Sequence, residues 1–347
     1  MPWYLKNGKD SDIILYSKSR LTRNISKVKF NTANDLKDQK KVYEILKKAT
    51  PKLGYSLKFI DYNTIDELTK KSLLEKNIIT KEFYNFKSNY KALIINDEEN
   101  IAIQVNGQDQ IVLQVFQSGK SIEETTKLII ELDKKLEKLI NYAFNEKYGY
   151  LSPNLMNIGT GLKETVKLHL PGLNITNNIR KIRNTLNNLG ITMNEEEGDI
   201  FEISTTQIIG TTEDNIKESI KPIIENIVEN ERKFRKYLIK NTEEVEDEIL
   251  RDFGIISYSN KIKDEEYQNL ISMVKMGVDL GILENIDDTK MNKILNYSNP
   301  YTLAKYLGQD ITNLDIEKER AKIIKEIIKE CDKLKVKDFI AVEITRI

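Results

Sequence analysis

The chain has 347 residues, with 54 Lys and Arg balanced by 54 Asp and Glu, and a single cysteine, Cys331. The balanced charge gives no overall basic field, which disfavours nucleic-acid binding, and the length exceeds one typical core, which favours two domains. A lone cysteine excludes an internal disulfide, no apolar run approaches the length of a membrane span, and the opening MPWYLKNGKD does not read as a secretory leader. We therefore expect a cytoplasmic protein that does not enter a membrane.

The first part of the chain alternates short β-type runs with helical patterns. The runs are DIILYS, KALIIND, IAIQV, QIVLQVF and DIFEIS. The clearest helix begins at Ser121, which Glu124 follows in the order of a capping box. After Gly254 the β-type runs nearly disappear and helical patterns follow, except for a final extended-looking KDFIAVEITRI. The sequence therefore predicts an α+β domain over residues 1–253 and an all-α domain over residues 254–347.

The stretch YGYLSPNLMNIGTGLKETVKLHLPGL, residues 148–173, combines several glycines with the only histidine. In NIGTGLK, Gly159 and Gly161 free the backbone to point consecutive N–H groups at an anion, and Lys163 adds a positive charge there. An ordinary turn between two regular elements explains the same pattern. This stretch by itself leaves both interpretations open.

Several motifs in order resemble one family. The stretch above is similar to the nucleotide-site segment of the ATP:guanido phosphotransferases, and most closely to that of bacterial protein-arginine kinases, where it reads approximately YGYLT-x-CP-x-N-x-GTGLR followed by an LHLP-like run. SDIILYSKSRLTRNI resembles the family's SSRIRLARN motif, LIINDEENIAIQV its NEEDHLRIQ motif, and GDIFEISTTQIIGTTEDNI a third segment. RDFGIISYSNKI and VKMGVDLGIL resemble the passage of the bacterial members into a helical C-terminal domain.

The resemblance implies a guanido-kinase fold, an antiparallel sheet flanked by helices, and transfer of the ATP γ-phosphoryl group to a protein arginine with Mg²⁺. Such transfer needs cations around the phosphates and a carboxylate that orients the guanidinium and accepts its proton. It implies Glu98 as that base. The phosphate-binding and nucleotide-binding positions that it implies are Lys18, Arg20, Arg23, Asn157, Gly159, Thr160, Gly161, Lys163 and His169.

The sequence also departs from the family pattern at several positions. Lys18 and Lys163 replace arginines, and lysine binds phosphate as a point charge without the bidentate fork of arginine. Ala102 replaces another phosphate-binding arginine, and Asn100 replaces the histidine of NEEDH. Between Gly190 and Phe201 only ITMNEEEGDI is present, in which no RG-x-x-GE loop can be placed. A run of three glutamates there, Glu195 to Glu197, is either a replacement for the loop carboxylate or a solvated surface run.

The C-terminal segment LDIEKERAK resembles the RD-x-x-RA stretch of the phosphoarginine pocket in bacterial relatives, with Arg320 in one position and Glu317 in the place of the aspartate. These departures favour a kinase-like protein with little or no activity, a pseudokinase that binds a protein partner. The partners implied are an active arginine kinase, its zinc-finger activator or a Clp component. An active divergent kinase and a module that binds arginine or phosphoarginine are the alternatives. Family members form dimers, so we expect a homodimer.

Overall fold

The structure is a computed structural model that describes residues 1–206, 210–284 and 286–329. The predicted extended segment KDFIAVEITRI and Cys331 lie outside these residues. The strands are β1 Ile14–Arg23, β2 Lys58–Asp61, β3 Ala92–Ile95, β4 Ile101–Val105, β5 Ile111–Ser118, β6 Phe144–Asn145, β7 Gly149–Tyr150, β8 Leu162–His169, β9 Ile191–Glu196 and β10 Ile200–Thr205. The helices are α1 Leu36–Leu53, α2 Glu67–Glu75, α3 Lys81–Asn85, α4 Ile122–Glu137, α5 Pro171–Ile175, α6 Ile179–Asn188, α7 Glu213–Asn241, α8 Glu243–Tyr258, α9 Asp264–Asp279, α10 Asp288–Tyr297, α11 Pro300–Leu307 and α12 Ile316–Lys329.

Eight strands form one sheet in the order β2-β3-β4-β5-β1-β8-β10-β9, and every pair in it is antiparallel. Strand β1 lies near the middle, between β5 and β8. The prediction of an antiparallel sheet flanked by helices is confirmed. Because side chains alternate between the faces of a sheet, each strand contributes to two different environments.

The back face of the sheet is covered by helices. Leu21 of β1 packs with apolar residues of α1 and α4, and Val166 of β8 packs with those of α7. The front face is covered over β2 to β5 and at the Tyr16 end of β1. There the turn Trp3–Leu5, α2 and α3 bury Phe116 and its neighbours. Over the rest of β1, β8 and β10 the front face carries mainly polar and charged side chains. This part of the face is therefore the candidate site.

Helix α4 begins where the sequence predicts, but its capping box does not form. The Ser121 side chain makes no cap hydrogen bond, and its hydroxyl donates to the carbonyl of Ser118 at 3.2 Å. The acceptor is thus a backbone carbonyl at the end of β5, which the capping-box pattern does not predict.

The C-terminal helices share a core that runs from Leu238, at the end of α7, to Ile328 in α12. The all-α prediction for this region is confirmed over the residues described. Helix α8 continues through Gly254, so the predicted division between residues 253 and 254 falls inside a helix. Helix α7 packs against the sheet through Ile216–Val228 and joins the C-terminal core at Leu238. No helix in the described part of the chain is long and apolar enough to cross a membrane.

Candidate functional site

Four basic side chains project from the front face of β1 and β8. We call Lys18, Arg20, Lys163 and Lys167 the cation cluster. Arg20 and Lys163 are directly opposite in the β1–β8 pairing, and Lys167 is opposite Glu202 of β10. The strand period of two brings these alternate positions to one face. Three members, Lys18, Arg20 and Lys163, are predicted site residues, so the structure brings these three together.

The cation cluster has more positive charge than its carboxylate partners neutralise. Burial lowers the pKa of Lys18, and the neighbouring Lys163, Arg20 and Lys167 lower it further, while Glu202 opposes the shift. The Lys18 Nζ lies 3.8 Å from a Glu202 oxygen. Burial also lowers the pKa of Lys163, as does Arg20. Crowded, partly desolvated cations of this kind favour an anion between them.

Arg20 has an incompletely paired guanidinium. Its pKa is lowered chiefly by burial, with Asp109 and Glu82 opposing that shift at longer range. Among the described residues, its buried Nε has no hydrogen-bond partner. A buried guanidinium donor without an acceptor is costly, and a phosphate oxygen is a suitable acceptor.

Lys167 is a site residue that the sequence analysis missed. Its Nζ pairs with Glu196 of β9 at 2.6 Å, and only 11% of its side chain is exposed. The signal was present in LKETVKLH, where a period of two places positions 163 and 167 on one face. Of the three glutamates weighed as loop substitutes, Glu196 thus lies at the cation cluster, whereas Glu195 pairs with Arg183.

The carboxylate of Glu202 stays ionised within this group of lysines. Burial acts to raise its pKa, but Lys18, Lys167 and Lys163 together hold the pKa of Glu202 below its usual value. Glu202 and Glu196 are therefore the two carboxylates at the cation cluster. Among the described residues no group of three or more His, Cys, Asp and Glu side chains is placed to hold a metal ion. A magnesium ion at this site would be held mainly by phosphate oxygens and water, as is common for that ion.

Arg23 does not join the cation cluster. Its side chain points to the back face, where Nη2 pairs with Asp133 at 2.7 Å and Nη1 donates to the carbonyl of Thr160 at 2.7 Å. The guanidinium also stacks on the ring of Tyr150 at 3.4 Å. The prediction that Arg23 binds phosphate is not supported by this placement, because its donors already stabilise the glycine-containing stretch.

The NIGTGLK stretch is held tightly against β1. Gly161 has φ +67°, and a Cβ there would lie 2.7 Å from the carbonyl oxygen of Thr22. The Thr160 hydroxyl accepts from the N–H of Leu162, and the side chain of Asn157 donates to buried Asp109 at 2.8 Å. The turn that leads into β8 and places Lys163 is thus built by Asn157, Gly159, Thr160 and Gly161. The turn interpretation accounts for the contacts of these residues.

Glu98 occupies the turn between β3 and β4. Its carboxylate pairs with Lys6 at 2.9 Å, about half of its side chain is exposed, and this pairing lowers the pKa of Glu98. Within the described residues it forms no ion pair with a member of the cation cluster. Glu98 is thus an ionised carboxylate at the end of the sheet where β1 begins, and its role as base stays a prediction.

The position of the missing arginine is closed in this structure. Ala102 is fully buried, opposite Gln114 of β5. The Gln114 amide donates to the carbonyl of Ile78 at 2.7 Å, so the segment after α2 lies over this part of the front face. Position 102 therefore adds no positive charge to the cation cluster.

His169 lies at the end of β8, in a buried network between the sheet and the C-terminal helices. We call Glu231, Arg235, His169, Asp279 and Lys275 the interdomain network. Arg235 bonds Glu231 at 2.6 Å, Asp279 at 3.0 Å and the Nδ1 of His169 at 3.2 Å, and Lys275 bonds Asp279 at 2.9 Å.

The histidine in this network is neutral. Burial, reinforced by Arg235 and Lys275, lowers the pKa of His169 well below its usual value. Arg235 can only donate, so Nδ1 accepts and Nε2 donates to the hydroxyl of Ser272 at 2.9 Å. The prediction that His169 lies beside adenine or ribose is not supported, because its ring is enclosed between α7 and α9.

The predicted phosphoarginine residues are also engaged elsewhere. Arg320 is fully buried, donates to the carbonyls of Ser298 and Ile262 at 2.9 and 2.8 Å, and pairs with Asp264. The carbonyl of Glu317 accepts from the N–H of Ile262. Arg320 therefore joins C-terminal helices in the core, and phosphoarginine binding by Arg320 is not supported by these contacts.

Comparison with known proteins assigns the two parts of the chain to two family models. Residues 38–234 match the family model of the ATP:guanido phosphotransferase C-terminal catalytic domain, and residues 242–338 match that of the protein-arginine kinase McsB C-terminal domain. The chain belongs to the ATP:guanido phosphotransferase family.

Two curated relatives indicate the branch of that family. The chain is 33% identical over 332 residues to a protein-arginine kinase of Halothermothrix orenii, covering 93% of this chain and 95% of that one. It is 30% identical over 337 residues to a protein-arginine kinase of Bacillus cereus, covering 94% and 95%. The chain is thus similar to protein-arginine kinases over both domains.

Two solved structures share the fold. They are the duplicated taurocyamine kinase of Schistosoma mansoni, with TM-score 0.59 and 18% identity over 65% of this chain and 34% of that chain, and a lombricine kinase, with TM-score 0.56 and 15% identity over 66% and 70%. At these identities the likeness establishes the fold alone.

Proposed function

We propose that the protein binds the phosphates of ATP at the cation cluster but transfers the γ-phosphoryl group to protein arginine only weakly. In this proposal it acts as a regulatory pseudokinase of arginine phosphorylation. The observation that carries the binding half is the Nε of Arg20, which has no hydrogen-bond partner in the described part of the chain and lies within a group of four cations that faces two carboxylates. A triphosphate would supply the missing negative charge and hydrogen-bond acceptors.

The catalytic half of the proposal rests on missing transition-state charge. Ala102 provides no cation, and the hairpin from β9 to β10 is too short for an arginine-bearing loop. Removal of one such arginine in phosphoryl transfer typically costs about 10³ to 10⁵ in rate. Lysines at positions 18 and 163 supply charge but lack the planar fork that fixes geometry.

One observation favours a second candidate, an active divergent kinase. Lys167 adds a cation beside the predicted phosphate-binding residues, and Glu196 adds a carboxylate from the hairpin that replaces the mobile loop. In that case Lys167 substitutes for a lost arginine, and Glu196 orients the acceptor guanidinium.

The partners proposed are an active arginine kinase, its zinc-finger activator or a Clp component, with the protein itself as a homodimer. A third candidate, a module that binds phosphoarginine through Arg320, is disfavoured because that guanidinium is buried and bonded to Ser298, Ile262 and Asp264.

The deciding experiment incubates the protein with Mg-ATP and an arginine-rich protein and scores acid-labile phosphoarginine by mass spectrometry. We expect ATP binding in a calorimetric titration and little product. Glu98→Ala and Glu196→Ala are run beside the wild type as the two candidate carboxylates. Abundant product that disappears in one of these variants would establish an active kinase and identify its carboxylate. Absence of ATP binding would remove the pseudokinase proposal and leave a scaffold without nucleotide.

A further inference from the structure

A wide apolar groove lies on the back of the molecule, between α6 and α7 and remote from the cation cluster. It has a volume of about 530 Å³. Helix α6 packs mainly on β9, whereas α7 packs on α5 and β8, so the two helices stand apart in their layer. The apolar side chains that line this groove include Leu173, Ile182, Leu186, Ile223, Ile227 and Phe234.

The groove has the dimensions of a helix-binding site. Its α6 wall is a helix of 10 residues, which at the usual rise of ~1.5 Å per residue is about 15 Å long. The α7 wall presents lining residues from Pro222 to Phe234, spaced three or four apart. A groove between two such walls accepts an amphipathic helix of about three turns, whose apolar residues occur at the same spacing.

The rim of the groove selects the charge of that helix. Helix α6 has the sequence IRKIRNTLNN, with three cations and no acidic residue. Arg183 pairs with Glu195, whereas Lys181, which lines the groove, is exposed and forms no ion pair with any residue that the structure describes. The remaining polar lining is uncharged, as with Asn226 and Asn230 of α7. A partner helix with acidic residues beside its apolar face would satisfy both features.

We propose that the groove between α6 and α7 docks an amphipathic helix of a partner protein, with an apolar face on the groove floor and an acidic flanking residue against Lys181. This inference goes beyond the proposed nucleotide site and does not depend on it. The site and the groove lie on opposite faces of the sheet, so a partner docked here leaves the cation cluster open to nucleotide.

The test uses the full chain and two fluorescent peptides of about twelve residues that share a leucine face, one flanked by glutamates and the other by lysines. Fluorescence anisotropy is expected to show binding of the acidic peptide, weakened by added salt. Lys181→Glu should weaken it about tenfold, the equivalent of losing one charge-assisted contact. The matched control Lys236→Glu, an exposed reversal on α7 outside the groove, should leave it unchanged.

Other results would overturn the proposal. Equal or tighter binding of the basic peptide would contradict the partner chemistry, and binding of neither peptide would remove the docking site. If Lys181→Glu or Ile182→Ser shifts the free protein between oligomeric states, the occupant is a second copy. If deletion of residues 330–347 strengthens peptide binding, the occupant is the chain's own C-terminal segment. Circular dichroism of each variant separates lost folding from lost binding.

Discussion

The cation cluster and the interdomain network both gather buried charge, but they treat it differently. In the network each charge meets an opposite one, as where Arg235 bonds Glu231 and Asp279 at 2.6 and 3.0 Å. In the cation cluster, Lys18 has one carboxylate at 3.8 Å and the Nε of Arg20 has no partner among the described residues. Fully paired charge is typical of structural roles, and unpaired charge on an open face is typical of ligand binding.

The contrast also bears on two predicted site residues. Arg23 and His169 lie in segments that resemble nucleotide-site motifs, yet their side chains are fully engaged in packing. A motif carries residues that build the site as well as residues that touch the ligand. Residues that build the site already have hydrogen-bond partners in the folded structure, whereas residues that touch the ligand have donors left over.

The largest expected effect is on the network. Arg235→Ala leaves the carboxylates of Glu231 and Asp279 buried with fewer partners, and breaking a buried ion pair costs about 3–5 kcal/mol. Denaturant unfolding should show this loss. The exposed pair of Lys233 with Glu229 provides the control, since Lys233→Ala should change stability little. Similar small losses in both variants would contradict the structural role of the network.

The cation cluster should respond in the opposite manner. Arg20→Ala removes a cation from a group of like charges, so the free energy of unfolding should change little or rise. ATP affinity should fall about 10- to 100-fold, because a hydrogen bond to a charged group contributes about 1.5–3 kcal/mol. Calorimetric titration measures the affinity, with exposed Arg180→Ala as the control. Equal affinity in wild type and Arg20→Ala would place nucleotide elsewhere.

Much of the fold was available from the sequence. Alternating runs and helical spacing predicted the α+β domain and the helical C-terminal region, and motif order predicted three members of the cation cluster. The burial of His169 and Arg320 could not be read from the sequence, since their partners Arg235 and Asp264 are 66 and 56 residues away. Lys167 was readable by strand alternation but lies outside the motif positions that the resemblance emphasised.

A smaller effect distinguishes two glycines. Gly161→Ala places a Cβ 2.7 Å from the Thr22 carbonyl at φ +67°, so it should destabilise the protein by at least about 1–2 kcal/mol. In contrast, Gly254→Ala lies inside helix α8 with nothing within 4 Å and should stabilise it by about 0.5–1 kcal/mol. Thermal unfolding of the two variants checks both signs. A neutral Gly161→Ala would show that the turn before β8 is not as tightly packed as its contacts indicate.

The smallest effect concerns pH and the network histidine. The pKa of His169 in the folded protein lies well below its usual value, about 6.5, whereas the unfolded chain keeps that usual value. As pH falls below about 6.5, the unfolded state therefore takes up a proton that the folded state does not bind. The free energy of unfolding falls as a result, with a limiting slope of about 1.4 kcal/mol per pH unit. Glu164 acts in the opposite direction, because burial raises its pKa to about 7 and its contribution to stability is lost as pH rises.

Two variants separate these opposing contributions. His169→Gln should remove the loss of stability between pH 6.5 and lower values, whereas Glu164→Gln should remove the gain over the range from about 7 down to about 4.5. Urea unfolding across this range measures both, with the wild-type profile subtracted. Because His169 is the only histidine, a remaining acid-side loss in His169→Gln near pH 6 would mean that another group, whose pKa is lower in the folded protein than in the unfolded chain, takes up a proton on unfolding. The carboxyl groups of Glu231 and Asp279 could not supply that loss, because burial raises their pKa and their contribution to stability, like that of Glu164, grows as pH falls.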